Sequence, residues 1–215
     1  MSYPDYTRAE RIADGVIHVV GVSGAIVAVA AFYWIYASAL HPGTYFASVL
    51  YTAAMVFMLS ASAAYHMGAK TPARPVLRRI DHAAIYVKIA ATLTPLAVLL
   101  GSLFGYVVLG FIWSLALFGA MRKLNSARGQ MSTEWLPQVI LGWLGLALII
   151  PLWSHLPDLS LQLIFAGGLI YSGAVVFYCW SNLKYANAIW HFFVLIATGC
   201  CFLGISKALA TPVVV

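Results

Sequence analysis

Residues 82–121 form one apolar run in which Lys88 is the only Lys, Arg, Asp or Glu. A helix rises ~1.5 Å per residue, so forty residues would extend about 60 Å, roughly twice the hydrocarbon thickness of a bilayer. The run must therefore fold back once, and Gly101, Ser102 and Gly105 supply the turn chemistry near its middle. A chain that needs such a hairpin of two spanning helices is a polytopic membrane protein. The composition agrees: 63% of the 215 residues are hydrophobic and 8% are charged, against about 25% charged in a soluble domain.

Applying the same length criterion along the chain predicts seven spans, near 15–37, 44–67, 82–100, 103–121, 135–154, 160–182 and 186–206. They form a single all-α seven-transmembrane helix bundle covering residues 1–215. The first stretch, after Arg8 and Arg11, ends in Ala37-Ser38-Ala39 like a signal cleavage site. It exceeds the ~7–15 residues of a signal h-region and reads as a span. The net charge of +6 would suggest nucleic acid on a soluble domain; here the cations report orientation, and no nucleic-acid partner is expected. Arg8, Arg11, Lys70, Arg74, Arg78, Arg79, Arg122, Lys123, Arg128 and Lys184 all fall on one side. The connections around His41-Pro42-Gly43, Gly101-Ser102 and His155-Leu156-Pro157-Asp158 contain no Lys or Arg. The positive-inside rule then puts the N-terminus in the cytoplasm and the C-terminus outside, in a bacterial inner (plasma) membrane. Cys179, Cys200 and Cys201 lie in apolar runs without C-x-x-C spacing and are expected to pack in the core.

This topology collects polar residues at one depth. Asp14 and His18 of span one, His66 of span two, Asp81 and His82 of span three, and Asn187 and His191 of span seven all lie just under the cytoplasmic surface. Ionisable side chains at membrane depth face the bundle interior and pair with one another. Imidazoles with a carboxylate have the composition of a zinc or other divalent-metal site. Ser62 precedes His66 by four residues and shares its helix face, as a hydrogen bonder to a metal-bound water or substrate carbonyl or as a close-packing residue. Glu10, Asp14 and His18 repeat every four residues, and Glu10 is read as an acidic first turn complementing the helix dipole. His41 and His155, in opposite loops, receive no role. Lys88 lies two turns past Asp81 and is expected inside the bundle, paired with Asp81 through water or with an anionic head group; the alternative is snorkelling to the inner surface. Pro95 is expected to open the third helix and leave a cavity between the metal level and itself.

The stretches "ERIADGVIHVVG", "SASAAYH", "RRIDHAAIYVKIAATLTP", "GWLGL" and "NAIWHFFVLIATG", taken in order, resemble haemolysin III-type proteins of the progestin and adipoQ receptor family, which includes the adiponectin receptors. The resemblance runs from about residue 10 to 200. It implies a seven-helix fold with a cytoplasmic N-terminus, an intramembrane zinc site, and kinship with alkaline ceramidases, hence hydrolysis of a lipid amide. The family's S-x-x-x-H matches Ser62 and His66, its third-helix aspartate matches Asp81, and its seventh-helix H-x-x-x-H matches only at His191. Asn187 stands at the first histidine position, and an amide oxygen is a poor zinc ligand beside imidazole. Zinc is therefore expected to bind through His66 and His191, with Asp81 bound directly or through a water, more weakly than in a three-histidine relative, and with His18, His82 or a water filling the gap. The activity expected is a zinc-dependent hydrolase acting on a ceramide-like or other fatty-acyl membrane lipid at the cytoplasmic side, Asp81 transferring the proton and Ser62 stabilising the oxyanion. The rival expectation is a non-enzymatic lipid or metal sensor, or a pore.

Overall fold

The computed structural model describes residues 6–68, 70–126, 134–180 and 182–211; Arg128, one of the orienting cations, lies outside them. Six helices are long and apolar enough to cross a membrane: α1 (Arg8–Tyr36), α2 (Pro42–Met67), α3 (Arg74–Leu100), α4 (Leu103–Leu124), α7 (Asp158–Cys179) and α8 (Ala186–Ala210). Two short helices, α5 (Leu136–Trp143) and α6 (Leu146–Leu152), together make the remaining span. The result is the expected all-α seven-span bundle. Its outer surface is apolar, Trp34 being 91% exposed, as suits side chains that face lipid rather than water.

Each boundary has a local cause. Span one begins at Arg8, two turns before the predicted residue 15. Thr7 and Glu10 form a capping box, with the Glu10 N–H bonding the Thr7 hydroxyl and the Thr7 N–H bonding Glu10 Oε2, which satisfies two of the donors a helix start leaves open. The predicted turn in the long apolar run is at Gly101, in the left-handed region at φ 59°, where a Cβ would be strained. Ser102 then caps α4 by accepting from the Gly105 N–H at 3.1 Å.

Span five differs from the single helix expected over 135–154. At Leu144 and Gly145 the ladder tightens to three-residue bonds, Gly145 N–H to Gly142 O at 3.1 Å and Leu148 N–H to Gly145 O at 3.0 Å. The same point is where α3 comes closest: a Cβ on Gly145 would lie 2.5 Å from a methyl of Leu93 on α3. Glycine lets α3 approach here, and the helix breaks where it does. The two pieces, eight and seven residues long, wedge loosely against α3 and α4, with α5 also touching α7.

The rest of the bundle is tighter. In chain order the spans close into a ring, with α8 returning to α1 and α3 near the centre, touching α2, α4, α5, α6 and α8. Small residues permit the closest contact, between α7 and α8. A Cβ on Gly167 would meet Cys201 Sγ at 2.5 Å, and one on Gly204 would meet the Ser160 carbonyl at 2.9 Å. Of the three cysteines only Cys201 is buried; Cys200 is half-buried and Cys179 exposed. The expectation that all three pack in the core fails for Cys179 because in a membrane an outward apolar side chain is equally well solvated. Pro95 is buried within α3, which continues to Leu100.

Candidate metal centre and adjoining cavity

Strand-free connectivity brings the start of α1, the end of α2, the start of α3 and the start of α8 to one end of the bundle, the face on which the N-terminus lies. Helical phase decides which side chains turn inward there. Asp14 and His18, four residues apart on α1, are both buried, and both face α2 and α8. The N-terminal ends of α1 and α8 are tied by Glu10, whose Oε1 accepts the Tyr185 N–H at 3.0 Å. Tyr185 caps α8 at a positive φ of 63°. Glu10 thus does more than complement a helix dipole: it sets the register between the two helices that supply the cluster.

Asp14, His18, His66 and His191 each present one ligand atom, and these four atoms lie within 4.8 Å of one another. Asp14 is the hub. Its Oδ1 accepts from His191 Nδ1 at 2.6 Å and lies 3.7 Å from His18 Nε2; its Oδ2 is 3.4 Å from His66 Nδ1. The three imidazoles close around it, with ring centroids 4.4 Å apart for His18 and His191, 4.5 Å for His66 and His191 and 5.2 Å for His18 and His66. Asn187 joins from the same face of α8 as His191, donating its amide to Asp14 Oδ2 at 2.9 Å and to His66 Nδ1 at 3.1 Å.

This donor set fits a divalent cation. Three imidazoles and one carboxylate match the nitrogen and oxygen ligands such ions take in tetrahedral sites. His18 Nε2 is buried with no hydrogen-bond partner among the described residues. Burying a polar nitrogen unsatisfied costs about 1–3 kcal/mol, and a bound ion removes that cost.

Beside the cluster opens a cavity of ≈ 360 Å³, with His66, His191 and Asn187 on its wall. Asp81, Ser62 and His82 line it too, and the buried Asp81 carboxyl faces the Ser62 hydroxyl. It continues along α3 past Lys88 to Thr92 and Leu93, so the space expected between the metal level and Pro95 is present. The wedge of α5 and α6 forms its far wall. A second void of ≈ 20 Å³ touches His18, Ser62 and His191, room for one water.

Residues 7–202 match the sequence profile of the family described as Haemolysin-III related. The chain belongs to this family. It is 32% identical over 195 residues to "Hemolysin-3 homolog" of Bacillus subtilis strain 168, covering 88% of this chain and 90% of that protein. It is 33% identical over 190 residues to "Hemolysin-3" of Bacillus cereus, covering 86% and 85%. Six apolar helices and bacterial relatives make this haemolysin-III-related protein a multi-pass integral membrane protein of the bacterial plasma membrane.

Within this haemolysin-III-related bundle the sequence-derived candidates separate into two groups. His66 and His191 stand in the cluster together with Asp14 and His18, which sequence reasoning held only as additional candidates. Asp81, expected as a third ligand, is not among the four; it lines the adjoining cavity with Ser62 and His82. His18 supplies the third imidazole that Asn187 does not. The signal was already in "ERIADGVIH", where acid and imidazole share one face of α1, but which neighbour that face meets is a property of packing. Lys88 is interior, 4% exposed, and does not snorkel. Its described contact is not Asp81: Nζ donates to the Tyr171 hydroxyl at 2.6 Å and lies 4.4 Å from the centre of that ring. Tyr171, a partner sequence reasoning missed, is bonded in turn to Thr198 at 2.5 Å.

Proposed function

We propose that this protein is a membrane-embedded, zinc-dependent hydrolase of a lipid amide, working at the cytoplasmic side of the bilayer. The observation that carries the reading is the junction of a buried Asp14–His18–His66–His191 cluster with a large, mostly apolar cavity whose wall holds Asp81 and Ser62. His18, His66 and His191 would hold the ion, Asp14 would orient them, and the fourth position would be left to a water. Bound zinc supplies Lewis acidity and lowers the pKa of a coordinated water from ~15.7 towards ~7. The small void against His18, Ser62 and His191 is where a water fits. Asp81, on the wall of the large cavity, would be the acid–base group, accepting a proton from the attacking water and passing it to the leaving amine. Ser62, beside it, donates to the oxygen of the scissile carbonyl as charge develops there. Lipid chains rest against Ile85, Ile89, Trp143 and Phe165, so the amide is presented without leaving an apolar environment. Purified protein should release fatty acid from ceramide, lose that activity on chelation, and regain it with zinc. Metal-loaded protein that leaves ceramide-type amides intact, or chelator-insensitive release, ends this reading.

Asn187 favours a second reading, a non-enzymatic metal or lipid sensor. Its amide satisfies Asp14 and His66 directly, which closes the cluster by hydrogen bonding alone. Such a protein would bind zinc reversibly without turnover, and the same assay separates the two. A pore is disfavoured by the fully buried apolar layer of Leu96, Leu148, Leu152 and Ile205.

A further inference from the structure

Lys88 is the fifteenth of the twenty-seven residues of α3, at the middle of the span and about 10 Å along the axis beyond Asp81. A cation at the bilayer centre is costly, ~2.5–3.5 kcal/mol on insertion scales, and normally has a carboxylate beside it. Here no carboxylate among the described residues pairs with it, and the buried Asp14 is engaged with His18, His66 and His191. The described hydrogen bond of Nζ goes to a neutral phenol. That phenol is held in place by Thr198, whose own hydroxyl donates to the Val194 carbonyl at 2.7 Å. The ammonium is therefore fixed, buried and uncompensated, and it stands on the wall of the large cavity.

We propose that Lys88 anchors the carboxylate of a single-chain amphiphile through the N–H groups it does not give to Tyr171, with the apolar body lying in the cavity. This assignment does not depend on the metal cluster. A small inorganic anion suits the charge but not the space, since ≈ 360 Å³ is in the range that holds an organic ligand (about 300–1,000 Å³). The body has matching walls in Ile85, Ile89, Trp143 and Phe165. A phosphate head group would call for the forked donors of arginine, and the one arginine on the wall, Arg78, is ten residues before Lys88, near the N-terminal face. A single ammonium, with two N–H groups left after its bond to Tyr171, fits a monocarboxylate. An occupant there fills the space beside the metal cluster, so carboxylate binding and entry of a second lipid exclude one another.

The test uses chelator-washed full-length protein in detergent, with dodecanoate and methyl dodecanoate as probes and bound ligand counted by native mass spectrometry. The wild type should prefer the acid over the ester by about tenfold or more, the low end of what a buried charge pair contributes. Lys88→Met should lose that preference while still taking up the ester, and Lys88→Arg should keep part of it. Arg78→Gln should leave it intact. Equal binding of acid and ester by the wild type, or a preference removed by Arg78→Gln and kept in Lys88→Met, overturns the assignment. If Lys88→Met does not fold, Lys88→Gln takes its place under the same criteria, and a preference kept in either variant overturns the assignment. Because the protein is metal-free throughout, the outcome is independent of whether the hydrolase reading holds.

Discussion

Two buried polar groups face the same cavity and are built with opposite signs. At the N-terminal face a carboxylate, Asp14, stands among three imidazoles and an amide. At mid-depth an ammonium, Lys88, donates to one hydroxyl, that of Tyr171, which Thr198 holds in turn. The first arrangement collects lone pairs around one point and suits a cation. The second presents donors and suits an anion. Both are held by rigid helices: the first by three helices meeting at their ends, the second by α3, α7 and α8 at their centres. In a low-dielectric interior neither group can borrow solvent, so each implies its own occupant.

The largest effect expected within this comparison is on turnover. Asp81→Asn should reduce lipid-amide hydrolysis by about 10²–10⁴-fold, the usual contribution of a positioned acid–base group, and leave zinc content unchanged, because Asp81 lies outside the four-residue cluster. Loss of metal in Asp81→Asn would instead return it to the ligand set. Next in size, Tyr171→Phe removes the described acceptor of the buried ammonium. It should destabilise the bundle by about 1–3 kcal/mol, read as a lower thermal transition in detergent, again with zinc content unchanged. A drop in zinc there would show that the two levels are not independent. The smallest effect belongs to Asn187→His. An added imidazole beside His66 should slow zinc loss to a chelator by about tenfold, within the 10–100-fold span of changes in residues that bond metal ligands. Faster loss would mean that the Asn187 amide is needed to hold Asp14 and His66 in place.

How far the sequence alone reaches differs between these regions. The hairpin at Gly101 was legible because no other glycine–serine pair interrupts a run too long for one crossing. The depth shared by Asp14, His18, His66, Asp81, His82, Asn187 and His191 was legible because depth follows from counting residues along each span. Helical phase relative to neighbours was not. That is why Asp81 was expected among the ligands and Asp14 and His18 beside them, although both sets lie at the same level. Interior placement of Lys88 follows from the cost of charge in lipid, but its partner, one of twelve tyrosines, is fixed only by how α7 packs on α8 through Gly167 and Gly204. The break in span five escaped for a related reason: glycines at 142 and 145 are tolerated in many helices, and the close approach of Leu93 to Gly145 is a property of packing.

The central claim is that Asp14, His18, His66 and His191 form one metal centre. Metal analysis of purified wild type, His18→Ala, His191→Ala and Asp81→Asn tests it most directly. The account predicts about one zinc per chain in wild type and Asp81→Asn, as expected for a four-ligand site, and loss in both histidine variants. Equal zinc in all four proteins, or zinc kept in His18→Ala and lost in Asp81→Asn, would contradict it.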